Sequence, residues 1–354
     1  MKKHNIIAMA LTSLMALPVI AQDSTPAVGD ILQGINMFTP EEGDPAYKVK
    51  ANEKYGTQWG VDMAYGLWNT EKVSDVKRHN NLALLHAQLN QRLIEDKANG
   101  GTWLRVEFSG SWGLDRESAQ SDTFFTEAYA TASGLHADAM GPHEGIFPEV
   151  ALMQYFAGKR ACLIAGMVNL TNYFDAVSIA NDSFSSFTND GFVNSTILPL
   201  VDSNIGGILQ VELNRNNYMM VAVSRTGCDS GYNPFNSDYC DGYAVVGEYG
   251  HIFADGAATL RINPFYTSTD VDMDDGTGER RRQNAGLVAS IEYTPCDPLT
   301  IYSRAGFAAK QYLSNSAEFS VGANIKLFPS REDDFLGISY GCLLYTSDAA
   351  DDLI

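Results

Sequence analysis

Basic residues are scarce in this sequence: 24 lysines and arginines stand against 43 aspartates and glutamates, for a formal net charge of -19. No basic stripe gathers the few that exist, which argues against a nucleic-acid-binding protein. Long apolar runs are equally rare. Beyond the first 21 residues no window holds about 18 uninterrupted apolar residues, so helices do not carry this chain across a membrane. Only five cysteines occur. Cys162 and Cys296 lack metal-ligand spacing. Cys228 and Cys240 bracket a short polar segment and are the disulfide candidate in an oxidising compartment, although spacing alone leaves the pairing open. Beyond the first 21 residues the histidines are His79, His86, His136, His143 and His251, and none forms a pair spaced for zinc. Asp270, Asp272 and Asp274 alternate as in a calcium loop, but Gly276 falls one place late and Glu279 comes too early for the bidentate ligand. No metal and no cofactor is expected. An enzyme would need an assembled nucleophile, and no local motif supplies a serine for His86.

What the chain does contain begins with a secretory pattern. Lys2 and Lys3 precede an apolar stretch from Ile6 to Ile20, and Val19-Ile20-Ala21 has the small-residue form of a cleavage site. Residues 1–21 are therefore expected to be a signal peptide, and 22–56 an irregular N-terminal segment. No Pro/Gly/Ser linker divides the chain after residue 50, which favours one domain.

Alternation dominates that domain. Leu104, Val106 and Phe108 oppose Trp103, Arg105 and Glu107; Leu209, Val211 and Leu213 oppose Gln210 and Glu212; Phe319, Val321 and Ala323 oppose Glu318, Ser320 and Gly322. Period-two patterning of this kind predicts β-strands. About fourteen are read, near 57–68, 82–94, 102–113, 124–135, 148–157, 161–169, 204–213, 217–226, 242–252, 256–267, 284–294, 299–309, 316–327 and 334–341. Short polar turns separate some neighbours, while long excursions at 169–203, 226–241 and 268–283 separate others, as in an up-and-down meander. The same alternation fits a soluble sandwich, whose apolar face meets a second sheet, and an outer-membrane barrel, whose apolar face meets lipid. Three features favour the barrel: strand length, strand number, and aromatic residues near strand ends (Trp59, Trp68, Trp112, Tyr243, Tyr266 and Tyr293). Closure would also remove exposed edges.

The segments "GMVNLTNYFDAVSIANDSFSSFTNDGFVN" (166–194) and "FPSREDDFLGISYG" (328–341) resemble the carbohydrate-selective porins of Gram-negative outer membranes, the OprB family. The resemblance runs from Phe147 to Tyr340. It implies an all-β fold: a transmembrane antiparallel up-and-down β-barrel of about sixteen strands, within the range of outer-membrane barrels. It also implies passive diffusion of sugars through a water-filled pore and an inward-folding loop that narrows it; an outer-membrane β-barrel hydrolase using His86 and a soluble secreted glycan-binding β protein are the alternatives. Lipid, lipopolysaccharide and sugars are the implied partners, with a homotrimer usual for large porins. The segment "CLLYTSDAADDLI" (342–354) resembles a translated sequencing adapter. It is expected to be a non-native tail, with the barrel spanning 57–341 and incomplete.

Parity then names the candidate pore-lining residues: Arg92, Trp103, Arg105, Glu107, Glu212, Arg261, Glu292 and Arg304. A cation set against hydrocarbon is expensive, so these side chains are expected on the face away from lipid. Trp103 would serve as a stacking platform inside the pore or as an interfacial tryptophan. In the excursion 169–203, Asn172, Asp175, Asn181, Asp182 and Asn189 are interleaved with phenylalanines. Their amides and carboxylates suit sugar hydroxyls in a constriction. A self-packed surface loop is the alternative for the same residues.

Overall fold

The computed structural model describes residues 45–69, 79–115, 143–181, 187, 190–200, 203–226, 242–272, 280–312, 315–328 and 331–345. The expected strand near 124–135, the pair Cys228 and Cys240, and the loop residues Asp182 and Asn189 lie outside the described residues, as do the signal segment and residues after 345.

Among the described residues thirteen strands form one sheet. They are β1 (Thr57–Asn69), β2 (His79–Ile94), β3 (Thr102–Gly113), β4 (His143–Phe156), β5 (Ala161–Val168), β6 (Asn204–Asn214) and β7 (Asn217–Thr226), followed by β8 (Gly242–Phe253), β9 (Ala258–Asp272), β10 (Arg280–Cys296), β11 (Leu299–Tyr312), β12 (Asn315–Phe328) and β13 (Arg331–Tyr345). Each pairs antiparallel with the next in chain order, leaving β1 and β13 as the edges. This is the up-and-down meander that the alternation called for.

Short connections recur at one end, at 157–160, 215–216 and 297–298, while 114–142, 169–203 and 227–241 join strands at the other. The excursion expected at 268–283 is shorter than its composition indicated, because β9 continues to Asp272 and β10 starts at Arg280. Polar residues there extend a hairpin, since backbone pairing continues from Asn284 to Arg280 despite a register shift. β13 runs through Cys342 to Tyr345, paired with β12.

Among the described residues one helix precedes the sheet. Residues 46–55, expected to be irregular, form α1 (Ala46–Tyr55). Their alanines, lysines and glutamate are good helix formers. Gly56, at φ 65°, ends the helix in the left-handed conformation, and its N–H donates to Asn52 O at 2.9 Å.

A β-bulge in β4 sets the direction of a buried carboxylate. Glu107 pairs with Glu149 and Ser109 with Ile146, so Phe147 and Pro148 together face Phe108. Proline lacks the N–H that a regular ladder needs, and a bulge accommodates it. The extra residue turns both Ile146 and Glu149 to the same buried side, although three positions separate them.

The sheet's two faces differ in kind. Val61, Met63 and Tyr65 of β1, Phe147, Leu152 and Phe156 of β4, Met219, Val221 and Val223 of β7, and Leu336, Ile338 and Tyr340 of β13 are exposed. The buried side carries Arg105, Glu107, Glu149, Gln210, Glu212, Glu248, Arg261, Asn263, Arg304 and Glu318. A water-soluble protein has the reverse distribution.

The buried side is not polar all round, as strict alternation required. Met153, Cys162, Ile164, Ile208, Met220 and Val246, from β4 to β8, also point there. They pack against Leu170, Tyr173, Phe174, Ile197 and Leu198 of the β5–β6 connection. Tyr293, expected among the rim aromatics, is buried instead under Phe253, Ala254, Ala257 and Ala258, because the β8–β9 turn folds over it.

Candidate functional site

The connection between β5 and β6 folds onto the polar face of the sheet and is held there by wall carboxylates. It starts with a 3-10 turn, Leu170–Asn172, capped by Asn169, whose Oδ1 accepts from Thr171 N at 3.2 Å and Thr171 Oγ1 at 2.6 Å. That turn aims Asn172 and Tyr173 at β3 and β4. Asn172 Nδ2 donates to Glu107 Oε2 at 2.8 Å and Glu149 Oε2 at 3.3 Å, and the Tyr173 hydroxyl donates to Glu149 Oε1 at 2.5 Å. Arg105 Nε lies 3.2 Å from Glu149 Oε2, with the two side chains 1% and 0% exposed, and its guanidinium sits over the Tyr173 ring. His86 Nε2 lies 2.6 Å from Glu107 Oε1.

Further along the connection the same device repeats with other strands. Asp175 N donates to Glu248 Oε2 of β8 at 2.8 Å, a carboxylate that also accepts from Tyr218 OH and Asn263 Nδ2. Ser178 N donates to Glu292 Oε2 of β10 at 3.0 Å, and Arg261 Nη1 reaches the same oxygen at 3.4 Å. Glu318 of β12 accepts from Thr196 N at 2.8 Å, from Thr196 Oγ1 at 2.7 Å, and from Ser195 Oγ. Asp175 and Arg304 form the central ion pair: Oδ2 to Nε is 2.7 Å, with the side chains 0% and 1% exposed. The Arg304 guanidinium also donates to the carbonyls of Ala180, Phe192 and Val193. Asp175 holds φ at 54°, a left-handed conformation that Asp tolerates better than most residues.

Sheet curvature follows from these contacts. Strands lie about 4.8 Å apart, so β3 and β12 would be about 43 Å apart in a flat sheet. Glu107 of β3 accepts from Asn172, while Ser195 bonds both Glu318 of β12 and Asp175, only three residues from Asn172. In addition, the Phe192 ring of α2 (Asp190–Val193) lies over Gly341 of β13. The sheet therefore wraps around the segment.

The site residues named from sequence separate into three groups. Arg105, Glu107, Arg261, Glu292 and Arg304 face inward and meet the inserted segment, Arg261 through Glu292. Asn172 and Asp175 are their partners, and Asn181 Oδ1 accepts from Asn194 Nδ2 at 2.6 Å within the segment. Arg92, Trp103 and Glu212 lie toward the short-turn end, where Glu212 Oε1 is 3.9 Å from Arg160 Nε and the Arg92 guanidinium covers the Trp103 ring at 5.7 Å. Trp103 is buried, and its Nε1 donates to Gly100 O at 2.8 Å.

Sequence reasoning missed Glu149 and Glu248. Pro148 inside a strand was the available signal for the first. The second shares parity with Ala244 and Val246 in a strand apolar on both faces, so alternation carried no contrast there.

On the outer face, β4 from Phe147 to Phe156, apolar there except for Gln154, rises about 23 Å at the usual barrel tilt, close to the apolar band of outer-membrane barrels. Aromatic contacts mark both ends of that band: Tyr243 with Tyr266 at 6.0 Å, and Trp59 stacked with Tyr47 at 6.3 Å. Among the described residues no helix is long and apolar enough to cross a membrane.

The fold is that of outer-membrane porins. The chain is similar to Pseudomonas putida OprB, with a TM-score of 0.61 at 12% identity, over 84% of this chain and 77% of that one. It is also matched to an engineered Rh. blastica porin, at a TM-score of 0.40 and 9% identity, over 80% of this chain and 94% of that one. No family model matches the sequence, and no curated protein does either.

Proposed function

We propose that this protein is an outer-membrane porin through which carbohydrates diffuse passively, its water-filled passage narrowed by the segment 169–203. The observation that carries the reading is the inverted polarity of the sheet: apolar side chains exposed outside, and charged wall residues inside holding a folded-in connection. Lipid covers the outer face, lipopolysaccharide meets its outer-leaflet rim, and the assembly is a homotrimer. The fold shared with OprB supports the assignment. Selection is by diameter and by polar groups that replace water at the narrow point, with binding weak enough to permit exit. Asn172, Asp175, Asn181, Asp182 and Asn189 belong to the constriction, and Arg105, Glu107, Arg261, Glu292 and Arg304 to the wall that positions it. Diffusion down a gradient needs no cofactor and no chemical step.

Liposome swelling tests the proposal. Vesicles containing the full-length protein are expected to swell in glucose, and to discriminate between glucose and a charged solute of equal size. Vesicles that remain impermeable to glucose, with protein that stays monodisperse in plain buffer, would overturn it.

A further inference from the structure

Away from the inserted segment, the turns 95–101 and 157–160 flank an open cavity of about 340 Å³ at the short-turn end of the sheet. That is the low end of the volumes typical of small-molecule sites. The two turns are tied together: Gly158 N donates to Asn99 Oδ1 at 3.0 Å, and Asn99 Nδ2 donates to Asp96 Oδ2 at 2.8 Å. Asp96 Oδ1 also accepts from the backbone N–H groups of Ala98 and Asn99 at 3.0 and 3.1 Å. The Trp103 bond to Gly100 O fixes one wall of the cavity. A site pre-organised in this way loses little entropy on binding.

Its lining is unusual for so acidic a chain. Arg92, Lys97 and Lys159 line the cavity with Glu95, Asp96 and Trp103. Lys97 is paired with Glu95 at 3.8 Å. Neither Arg92 nor Lys159 forms an ion pair with a described residue; the Arg92 guanidinium lies over the Trp103 ring and close against Gly56. A guanidinium and an ammonium that form no direct ion pair with a described residue suit an anionic group. The carboxylates of Glu95 and Asp96 are acceptors only, so they suit hydroxyl donors on the same ligand, and the indole offers an apolar wall.

We infer that this cavity binds a small hydroxylated anion of the sugar-acid class, its carboxylate held by Arg92 and Lys159 and its hydroxyls by Glu95 and Asp96. The site lies at the short-turn end, where the two tied turns meet β2 and β3, and its binding does not depend on the porin reading.

Equilibrium dialysis of the full chain in detergent, with labelled gluconate as probe, tests the inference without measuring flux. Gluconate should bind saturably and at least tenfold more tightly than glucose. Arg92→Gln and Lys159→Gln should each weaken gluconate binding at least tenfold. Lys159 lies on an exposed turn, so its variant decides the matter even if Arg92→Gln misfolds. Equal binding of gluconate and glucose, or unchanged binding by Lys159→Gln, would overturn the site. Displacement of gluconate by an equal concentration of acetate or inorganic phosphate would leave a bare anion site and overturn the sugar-acid assignment.

Discussion

Arg304 and Asp175 concentrate the largest single dependence in the molecule. Both are fully buried, and the guanidinium also serves three carbonyls of the inserted segment. Removing one partner of a buried ion pair leaves a desolvated charge behind, at a cost of about 3–5 kcal/mol. Arg304→Gln is expected to lower the denaturant midpoint accordingly and to make single-channel conductance larger and noisier. Arg304→Lys should restore little, since an ammonium cannot reproduce the fork that reaches several acceptors. Asn172→Ala should cost about 1–3 kcal/mol, because it removes a donor from the buried Glu107 and Glu149. A double-mutant cycle with Glu149→Gln measures that coupling. Parity identified Arg304, and composition identified Asp175 as a loop acid, but neither could show that they meet. More than 120 positions of chain separate them, and their contact exists only once β11 curls over the segment after β5.

The β2–β3 turn shows how an element secures itself in the absence of burial. Asp96 accepts from the Asn99 side chain and backbone, and these bonds, the side-chain one foremost, hold its carboxyl below the ordinary 3.8. Burial opposes them slightly, and the Ala98 bond adds to the lowering. A depressed carboxyl stabilises the turn fully above its ordinary pKa and ceases to do so as pH falls through the lowered folded value. Amide exchange at Ala98 and Asn99 should therefore accelerate, relative to neighbouring amides and after correction for intrinsic rates, as pH drops below 3.8, and Asp96→Ala should abolish that dependence. Thirteen of the expected strands were readable because period-two patterning survives in each local stretch. The bulge at Pro148 was not, since register depends on the partner strand, and the shortening of the 268–283 excursion followed from ladder pairing that composition does not encode. Helix α1 was hidden by its polarity: no apolar stripe marks it, and propensity together with Gly56 produces it.

For the molecule as a whole, the deciding variable is what covers the outer face. Val221 is exposed at mid-strand in β7. In lipid, Val221→Arg is expected to cost about 2–4 kcal/mol, and assembly into vesicles should fall in proportion. An arginine at a water-exposed position of a soluble sheet would be nearly neutral, so the same variant separates the two environments.

Sequence by itself determined that the chain is all-β, antiparallel and sequentially paired, because side-chain alternation is a local property of each strand and short turns join neighbours. It also determined that Arg105, Glu107, Arg261, Glu292 and Arg304 turn away from the exposed apolar face, since parity holds along a strand without a bulge, whereas Glu149 beyond the β4 bulge and Glu248 in an apolar strand escaped it. Tertiary structure alone decided what those residues do. Curling brought Glu107, Glu149, Glu248, Glu292 and Glu318 from five strands around one connection. A buried carboxylate needs donors, and the inserted segment supplies them.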